Sequence, residues 1–295
     1  MSLPTPLLAA VCAAGVLVVP AAASAAPTVV AGPLKVKDYE MTVMGTHGSP
    51  SLSVLFNRTS GKASQLHSYS FAAGATVKVK GKKASIKADL GAYGAVNLKV
   101  KKLGAARKGV APKGCTGTAG KSRTGTLKGS FRLVADSSYF STVSAKKLKA
   151  QVLKSGSLRC DSTGGGDPAK RPTTLTATLD GPAGMLMFSA SKDADGSVAQ
   201  TAMRMDDEAA TAPATITHLI SAPGGAAAFS PAGDLTAATG TGVSPFFSGA
   251  FSFAGEAMGT MSMGTLSGDL AARFDSIGTQ AIAASSPDAM LMPPQ

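Results

Sequence analysis

The feature that most constrains how this chain folds is a set of short runs in which apolar residues alternate with basic or polar ones. Glycine-containing turns separate these runs. Val77 and Val79 alternate with Lys78 and Lys80, and the same period of two recurs in residues 96–101, 127–133 and 147–152. Successive side chains of a β-strand point to opposite faces, so each run offers an apolar face to a core and a polar face to water. Helical periodicity is nearly absent. The pattern predicts an all-β protein of antiparallel β-sandwich or barrel-like architecture.

The amino-terminal residues resemble an export signal. An apolar run over residues 7–19 ends at Pro20, and Ala23-Ser24-Ala25 then offers the small-x-small pattern of a cleavage site. We predict a signal peptide over residues 1–25, and secreted or extracytoplasmic placement in the periplasm or at the cell surface. A retained membrane anchor is the alternative. It is disfavoured because the run is shorter than the ~20 residues that span a bilayer.

Two cysteines remain after the predicted signal peptide, Cys115 and Cys160. In an exported chain such a pair predicts one disulfide. On the chain-entropy model, closing a loop of this length stabilises the fold by about 4 kcal/mol. Their spacing lacks the C-x-x-C pattern of a redox motif, so we expect a structural role.

Charge divides the chain into two segments. Residues 33–172 hold 26 Lys and Arg against 6 Asp and Glu, whereas residues 173–295 hold 3 against 11. A stretch rich in glycine and proline, residues 161–172, lies at the change of sign. We predict a basic β-domain over 33–160, a linker over 161–172 and an acidic, apolar-rich β-domain over 173–290.

Similar strings in the two segments indicate a diverged tandem repeat. Residues 39–45 resemble 175–181, a hairpin through Phe56 and Gly61 resembles one through Phe188 and Gly196, and residues 125–129 resemble 264–268. Ile86, Leu90 and Gly94 also align without gaps on Ile216, Ile220 and Gly224. The order is the same in both segments. Generic β-patterning with abundant glycine is the alternative explanation.

Eight basic residues fall on the predicted outward strand faces and form the candidate site. Three interpretations of them remain open: a solvated face that discourages aggregation, a surface for an anionic polymer or membrane head groups, and a surface on which the acidic segment docks. Nucleic acid is disfavoured because no aromatic residues interleave these positions. The eight are Lys78, Lys80, Lys99, Lys101, Lys128, Arg132, Lys147 and Lys149.

Two strings imitate ligand-binding motifs without meeting their requirements. Gly120-Lys121-Ser122 ends like a phosphate-binding loop, but Cys115 stands where the first glycine belongs and strand-like residues follow instead of a helix. Asp193 and Asp195 open like a calcium loop, but no further oxygen ligands follow, so a hairpin turn with at most weak calcium binding is expected. We therefore predict no nucleotide, no cofactor and no metal site.

Nothing in the sequence assembles a catalytic centre. His47, His67 and His218 lie in separate segments without the spacing of a zinc site, and no G-x-S-x-G string is present. We predict a non-enzymatic binding or structural protein whose basic faces contact anionic cell-envelope polymers. A carrier of a hydrophobic ligand in a β-barrel cavity is the alternative, suggested by the Met- and Phe-rich residues 245–263, although ordinary core is the favoured explanation of those residues. A hydrolase is the third hypothesis. It requires one histidine to meet a carboxylate and a nucleophile.

Overall fold

The computed structural model describes residues 26–110, 115–118, 120–135, 139–160, 173–181, 184–206, 214–230, 236–259, 261–282 and 284–292. These residues are almost all β-structure, which confirms the predicted all-β class. One turn of 3-10 helix, Gly91–Tyr93, is the only helical element among them. The predicted signal peptide and linker lie outside the described residues, so both remain predictions.

The strands of the basic segment are β1 (Thr28–Val36), β2 (Tyr39–Thr46), β3 (Leu52–Ser60), β4 (Ala63–Phe71), β5 (Ala75–Lys80), β6 (Lys83–Asp89), β7 (Gly94–Val100), β8 (Arg107–Lys108), β9 (Cys115–Thr118), β10 (Lys121–Leu133), β11 (Val143–Lys154) and β12 (Ser157–Cys160).

The strands of the acidic segment are β13 (Thr173–Gly181), β14 (Gly184–Lys192), β15 (Val198–Asp206), β16 (Ala214–Pro223), β17 (Ala226–Phe229), β18 (Ala237–Thr241), β19 (Phe247–Ser248), β20 (Ala250–Met258), β21 (Met261–Gly268), β22 (Ala271–Phe274), β23 (Gly278–Ala281) and β24 (Ala284–Met292).

Strand alternation produces the cores in the way that the sequence predicts. In β7, Val96, Leu98 and Val100 are buried, whereas Asn97 and Lys99 between them are exposed. Burial of the apolar face drives this arrangement, since about 25 cal/mol is gained for each Å² of apolar surface removed from water.

One antiparallel sheet of 19 strands runs through both segments. In the basic segment the hydrogen-bonded order is β5-β6-β7-β10-β11-β1-β2-β3-β4, with the short β8 also paired to β10. The acidic segment has the order β17-β18-β20-β21-β24-β13-β14-β15-β16. The two series meet where β4 pairs with β16. When the two series of nine strands are compared position by position, β1 corresponds to β13 and β10 corresponds to β21. The sequence similarity of residues 39–45 to 175–181 instead relates β2 to β13. The two comparisons disagree at this strand, so the tandem repeat stays a prediction.

Each series curls back on itself around an apolar core. In the basic segment Gly48 N donates to Val77 O at 3.2 Å and Ala75 N to Pro50 O at 2.9 Å, which ties β5 to the turn between β2 and β3. In the acidic segment Gln200 Nε2 donates to Thr241 O at 2.7 Å, which ties β15 to the end of β18.

The central pair β4–β16 contributes to both cores. Ala214 and Ile216 of β16 are buried among the residues of the first core, while Ala63 of β4 packs against the second. His67 and His218 lie opposite each other at the point where the two cores adjoin. The two segments therefore share strands and core residues.

Two small sheets complete the fold. In the pair β9–β12, Cys115 lies directly opposite Cys160. The sheet β19–β22–β23 contains a hairpin whose turn, between Phe274 and Gly278, carries Asp275 and Ser276. Ser276 and Asp275 reach the central strands, as described below. No helix among the described residues has the length and apolar character required to cross a membrane.

Candidate functional site: a lysine face and a buried histidine junction

The structure places all eight basic residues of the candidate site on the solvent-exposed side of their strands or strand ends. They belong to β5, β7, β10 and β11 or follow directly on β7, and the register of these strands brings several of them together. We call the outward side of β5, β6, β7, β10 and β11 the lysine face.

Three lysines of the lysine face are immediate neighbours across three strands. Lys128 on β10 lies directly opposite Lys99 on β7 and directly opposite Lys147 on β11. On the other side of Lys99 the register continues through Ser85 on β6 to Lys78 on β5. Adjacent strands lie ~4.8 Å apart, so this row of five residues extends over about 19 Å. We call it the lysine row.

A second, interrupted line of charge runs beside the lysine row. Lys80 lies opposite Lys83, and Thr126 lies opposite Lys149. Lys101 follows Val100, the last residue of β7. Residues two apart along a strand are separated by about 6.7 Å, which sets the distance between the two lines.

Acidic groups are almost absent from this face. Asp89 is the only acid in the described residues of its five strands, and it accepts a hydrogen bond from Gly91 N at 3.0 Å. No ion pair among the described residues includes a lysine of the face. Like charges directly opposite each other destabilise a sheet, by roughly 0.2–1 kcal/mol for each pair. The lysine row is therefore an arrangement that lowers stability when nothing is bound.

A β-bulge in β10 fixes the backbone next to Lys128. The register with β11 shifts between Lys128 and Phe131, and Gly129 adopts a φ of 144°. A Cβ at Gly129 would lie 2.0 Å from the carbonyl oxygen of Asn97 on β7. Only glycine fits there, because the conformation is unfavourable for other residues and the neighbouring backbone is too close.

Two further lysines belong to the face although the sequence analysis did not select them. Lys83 and Lys87 are exposed on β6, where they alternate with buried Ala84 and Ile86. The period of two in residues 83–89 is the same signal that identified the other strands, so it could have found these lysines.

A second group of polar residues is buried at the junction of the two segments. His67 and His218, each 2% exposed, lie opposite each other with their Nδ1 atoms 2.9 Å apart. One ring must donate the hydrogen of this bond. His67 Nε2 is buried with no hydrogen-bond partner among the described residues, and its ring stacks on Phe140 at 5.1 Å.

The other contacts of His218 are to a hydroxyl and a carboxylate. Its Nδ1 also lies 2.6 Å from Ser276 Oγ, and its Nε2 lies 3.2 Å from Asp206 Oδ2. Arg204 Nε donates to Asp206 Oδ1 at 2.6 Å. We call His67, His218, Ser276, Asp206 and Arg204 the junction cluster.

Charge states in the junction cluster follow from burial and hydrogen bonding. Burial, together with the neighbouring His218 ring, lowers the pKa of His67 from 6.5 to about 3, against an opposing effect of Asp206. His67 is therefore neutral near pH 7. Burial by itself raises the pKa of Asp206, but hydrogen bonds from His218 and Arg204 outweigh it and hold that pKa below its ordinary value, so Asp206 is a carboxylate.

A second polar group joins the segments beside the junction cluster. Tyr39 Oη donates to Asp275 Oδ2 at 2.8 Å, and Arg58 Nη1 lies 2.9 Å from the same oxygen. Gln65 Oε1 accepts from Asp275 N at 3.1 Å. The hairpin β22–β23 of the acidic segment is thus anchored to β2, β3 and β4 of the basic segment.

The remaining predicted residues have separate, local surroundings. His47 Nδ1 lies 3.1 Å from Val77 O, far along the chain from the junction cluster. Asp193 and Asp195 lie in the turn between β14 and β15, where both carboxylates accept hydrogen bonds from Ser197. Lys121 begins the long strand β10, so a strand and not a helix follows Gly120.

The four phenylalanines of the Met- and Phe-rich residues 245–263 are buried in the second core: Phe246, Phe247, Phe251 and Phe253. Phe188 packs against Phe247 and Phe251 with ring centroids 6.0 and 5.6 Å apart. This is the ordinary core that the sequence analysis favoured for these residues.

Within the described part of the chain, no group of three or more His, Cys, Asp or Glu side chains is arranged to hold a metal ion. The junction cluster was missed at the sequence level because its members come from strands far apart in the chain and carry no local spacing signal.

No protein-family model matches the chain, and no match is found among curated protein sequences or among solved structures.

Proposed function

We propose that this protein is an exported, non-enzymatic binding protein whose lysine face contacts anionic polymers of the cell envelope. The observation that carries the proposal is the direct juxtaposition of Lys99, Lys128 and Lys147, which form no ion pair with an acid in the described part of the chain. A polyanion would remove the mutual repulsion of these lysines and release its own counterions on binding.

Three of the alternatives have less support. A solvated face needs lysines but does not need them directly opposite one another. Docking of the acidic segment on the lysine face lacks support, because the two segments meet through β4–β16 and the hairpin β22–β23. A hydrophobic-ligand carrier gains no support from the phenylalanine cluster, whose rings pack against one another.

The hydrolase hypothesis has one specific observation in its favour, since His218 contacts both Ser276 and Asp206. Two features weigh against it. Ser276 is only 7% exposed, and the His218 nitrogen that faces it also faces His67 Nδ1. Neutral His67 provides a structural partner where a catalytic base needs a free nitrogen.

The test is equilibrium binding of the whole mature chain, residues 26–295, to poly(glycerol phosphate) and to polygalacturonate, with uncharged dextran as the reference. We expect binding to both polyanions that weakens steadily with added salt, and none to dextran. The triple variant K99Q/K128Q/K147Q should lose most of it. K62Q/K192Q/R273Q removes the same charge from the β3–β4 turn, β14 and β22, none of which belongs to the face, and should bind like the parent chain.

The outcomes separate the hypotheses. Absence of binding to either polymer at low salt would overturn the proposal. Equal losses in the two triple variants would also overturn it, because net charge and not the lysine face would then govern binding. Vesicles that contain anionic lipid are a further probe. If the chain binds these vesicles but neither polymer, the lysine face is a membrane-binding surface.

A further inference from the structure

The lysine row has a direction and a spacing that bear on the kind of polymer it fits. We infer that the ligand is a linear polysaccharide with one carboxylate on every sugar ring, lying across the strands along Lys78, Ser85, Lys99, Lys128 and Lys147. This inference rests on the proposed function and deepens it.

The direction follows from where the charge is continuous. Across the strands, Lys99, Lys128 and Lys147 are consecutive, and Lys78 extends the line by two more strands. Along a strand the outward lysines come only in pairs, such as Lys78 with Lys80. An extended polyanion therefore meets the longest run of positive charge when it crosses the strands at a right angle.

The spacing follows from the geometry of the sheet. Consecutive strands are ~4.8 Å apart, so the row presents one position for each step of that length. The length of one sugar ring in an extended polysaccharide is close to this step. A polymer with a carboxylate on every ring thus carries one charge for each strand spacing, which the long lysine side chains can reach, whereas a polymer with a charge on every second ring carries half that density.

Side-chain chemistry indicates recognition by charge and hydroxyl groups. The only aromatic residue in the five strands, Phe131, is 2% exposed, so no ring is available to stack on a sugar or base. Beside the lysine row, Asn97 and Ser130 lie opposite each other and are exposed. Their amide and hydroxyl groups can bond to the hydroxyl groups of a sugar. Arginine makes planar, bidentate contacts with its ligands, whereas lysine carries a compact point charge. A row of lysines therefore suits a polymer that offers single, separated carboxylates.

A pair of matched variants tests whether the row itself is the binding site. K99Q/K128Q/K147Q interrupts the row, whereas K80Q/R132Q/K149Q removes the same charge from scattered positions on the same face. All six residues are exposed. Thermal melts confirm that each variant is folded; we expect the scattered variant to melt near the parent chain and the row variant at or slightly above it.

The probes are polygalacturonate, with a carboxylate on every ring, hyaluronan, with one on every second ring, and poly(glycerol phosphate). At one ionic strength we expect polygalacturonate to bind most tightly. The row variant should lose at least about tenfold in affinity for it and show a shallower salt dependence, while the scattered variant should lose less than about threefold.

Failure of this inference is distinguishable from failure of the proposed function. If all three polyanions bind equally and both variants lose equally, the row and the polymer class are wrong while polyanion binding stands. Tightest binding of poly(glycerol phosphate) or of hyaluronan would likewise overturn the polymer class alone. If no polymer binds, both proposals fall.

Discussion

His67 and His218 face each other across the β4–β16 pair with their Nδ1 atoms 2.9 Å apart, at the place where the two cores meet. This contact predicts a specific loss of stability in acid. Burial lowers the pKa of His67 to about 3 from 6.5, so the unfolded chain binds a proton between these values that the folded chain does not. His67 therefore favours the folded state fully above about pH 6.5, and this contribution falls as the pH drops towards 3, by at most ~1.4 kcal/mol per pH unit.

Urea unfolding at a series of pH values measures this slope. In His67→Phe the decline of unfolding free energy between pH 6.5 and 4 should be shallower than in the parent chain. Ser144→Ala, at an exposed residue that does not titrate, should leave the slope unchanged. An identical slope in the His67 variant would show that other groups control acid unfolding.

Ser276 is expected to stabilise the junction without taking part in catalysis. Removing its hydroxyl in Ser276→Ala takes a 2.6 Å partner from buried His218, which should lower the unfolding free energy by about 1–3 kcal/mol. Ser144→Ala, at an exposed position on β11, is the control and should change little. Covalent labelling of Ser276 by a fluorophosphonate, abolished in the alanine variant, would instead support the hydrolase hypothesis.

Lys128 is expected to oppose folding while it supports binding. Lys128→Gln removes one charge from between Lys99 and Lys147 and should raise the unfolding free energy by roughly 0.2–1 kcal/mol at low salt. The gain should shrink at high salt, where charges on the surface are screened. The same variant should bind polyanions more weakly. Lys62→Gln, in the turn between β3 and β4, should show neither effect.

Gly129 is expected to be irreplaceable at the β10 bulge. Gly129→Ala combines an unfavourable φ with a contact of 2.0 Å to Asn97 O and should lower the unfolding free energy by about 2 kcal/mol or more. Gly61→Ala is the milder comparison, because Gly61 has a φ of 61°, in the left-handed region that other residues can adopt, and open space around its Cβ position. It should lose only about 1 kcal/mol. Equal losses would show that neither the φ of Gly129 nor its close approach to β7 adds to the cost.

Cys115 and Cys160 are expected to form a disulfide under oxidising conditions. They lie opposite each other in the β9–β12 pair, and cross-strand Cα distances of 4.5–5.5 Å fall within the range that a disulfide spans. Mass spectrometry of the mature chain should detect no free thiol. Reduction should lower the unfolding free energy by about 2–4 kcal/mol. Two free thiols in oxidising buffer would contradict the pairing.

The sequence was most informative where the signal is local. Alternation of Val77 with Lys78, and of Leu98 with Lys99, correctly predicted strands, inward faces and outward faces, because the period of a strand extends over only a few residues. Lys83 and Lys87 carry the same local signal, since residues 83–89 also alternate, although they are not among the eight predicted residues.

The pairing of distant strands could not be predicted from the sequence. His67 and His218 are separated by 151 residues, and neither has neighbours that identify the other as its partner. The junction cluster depends on the register of β4 against β16 and on the turn between Phe274 and Gly278. Such registers are set by the packing of whole sheets, so no short motif encodes them.

The shared central strands also determine when each part of the chain can become folded. Ala214 and Ile216 occupy places in the first core, so that core stays incomplete until β16 is present. If the chain is exported amino end first, as the proposed function implies, β4 emerges as an unpaired edge and stays so while more than a hundred further residues follow. The basic segment is then a partly folded intermediate, and the speed of translocation sets how long its β4 edge is exposed.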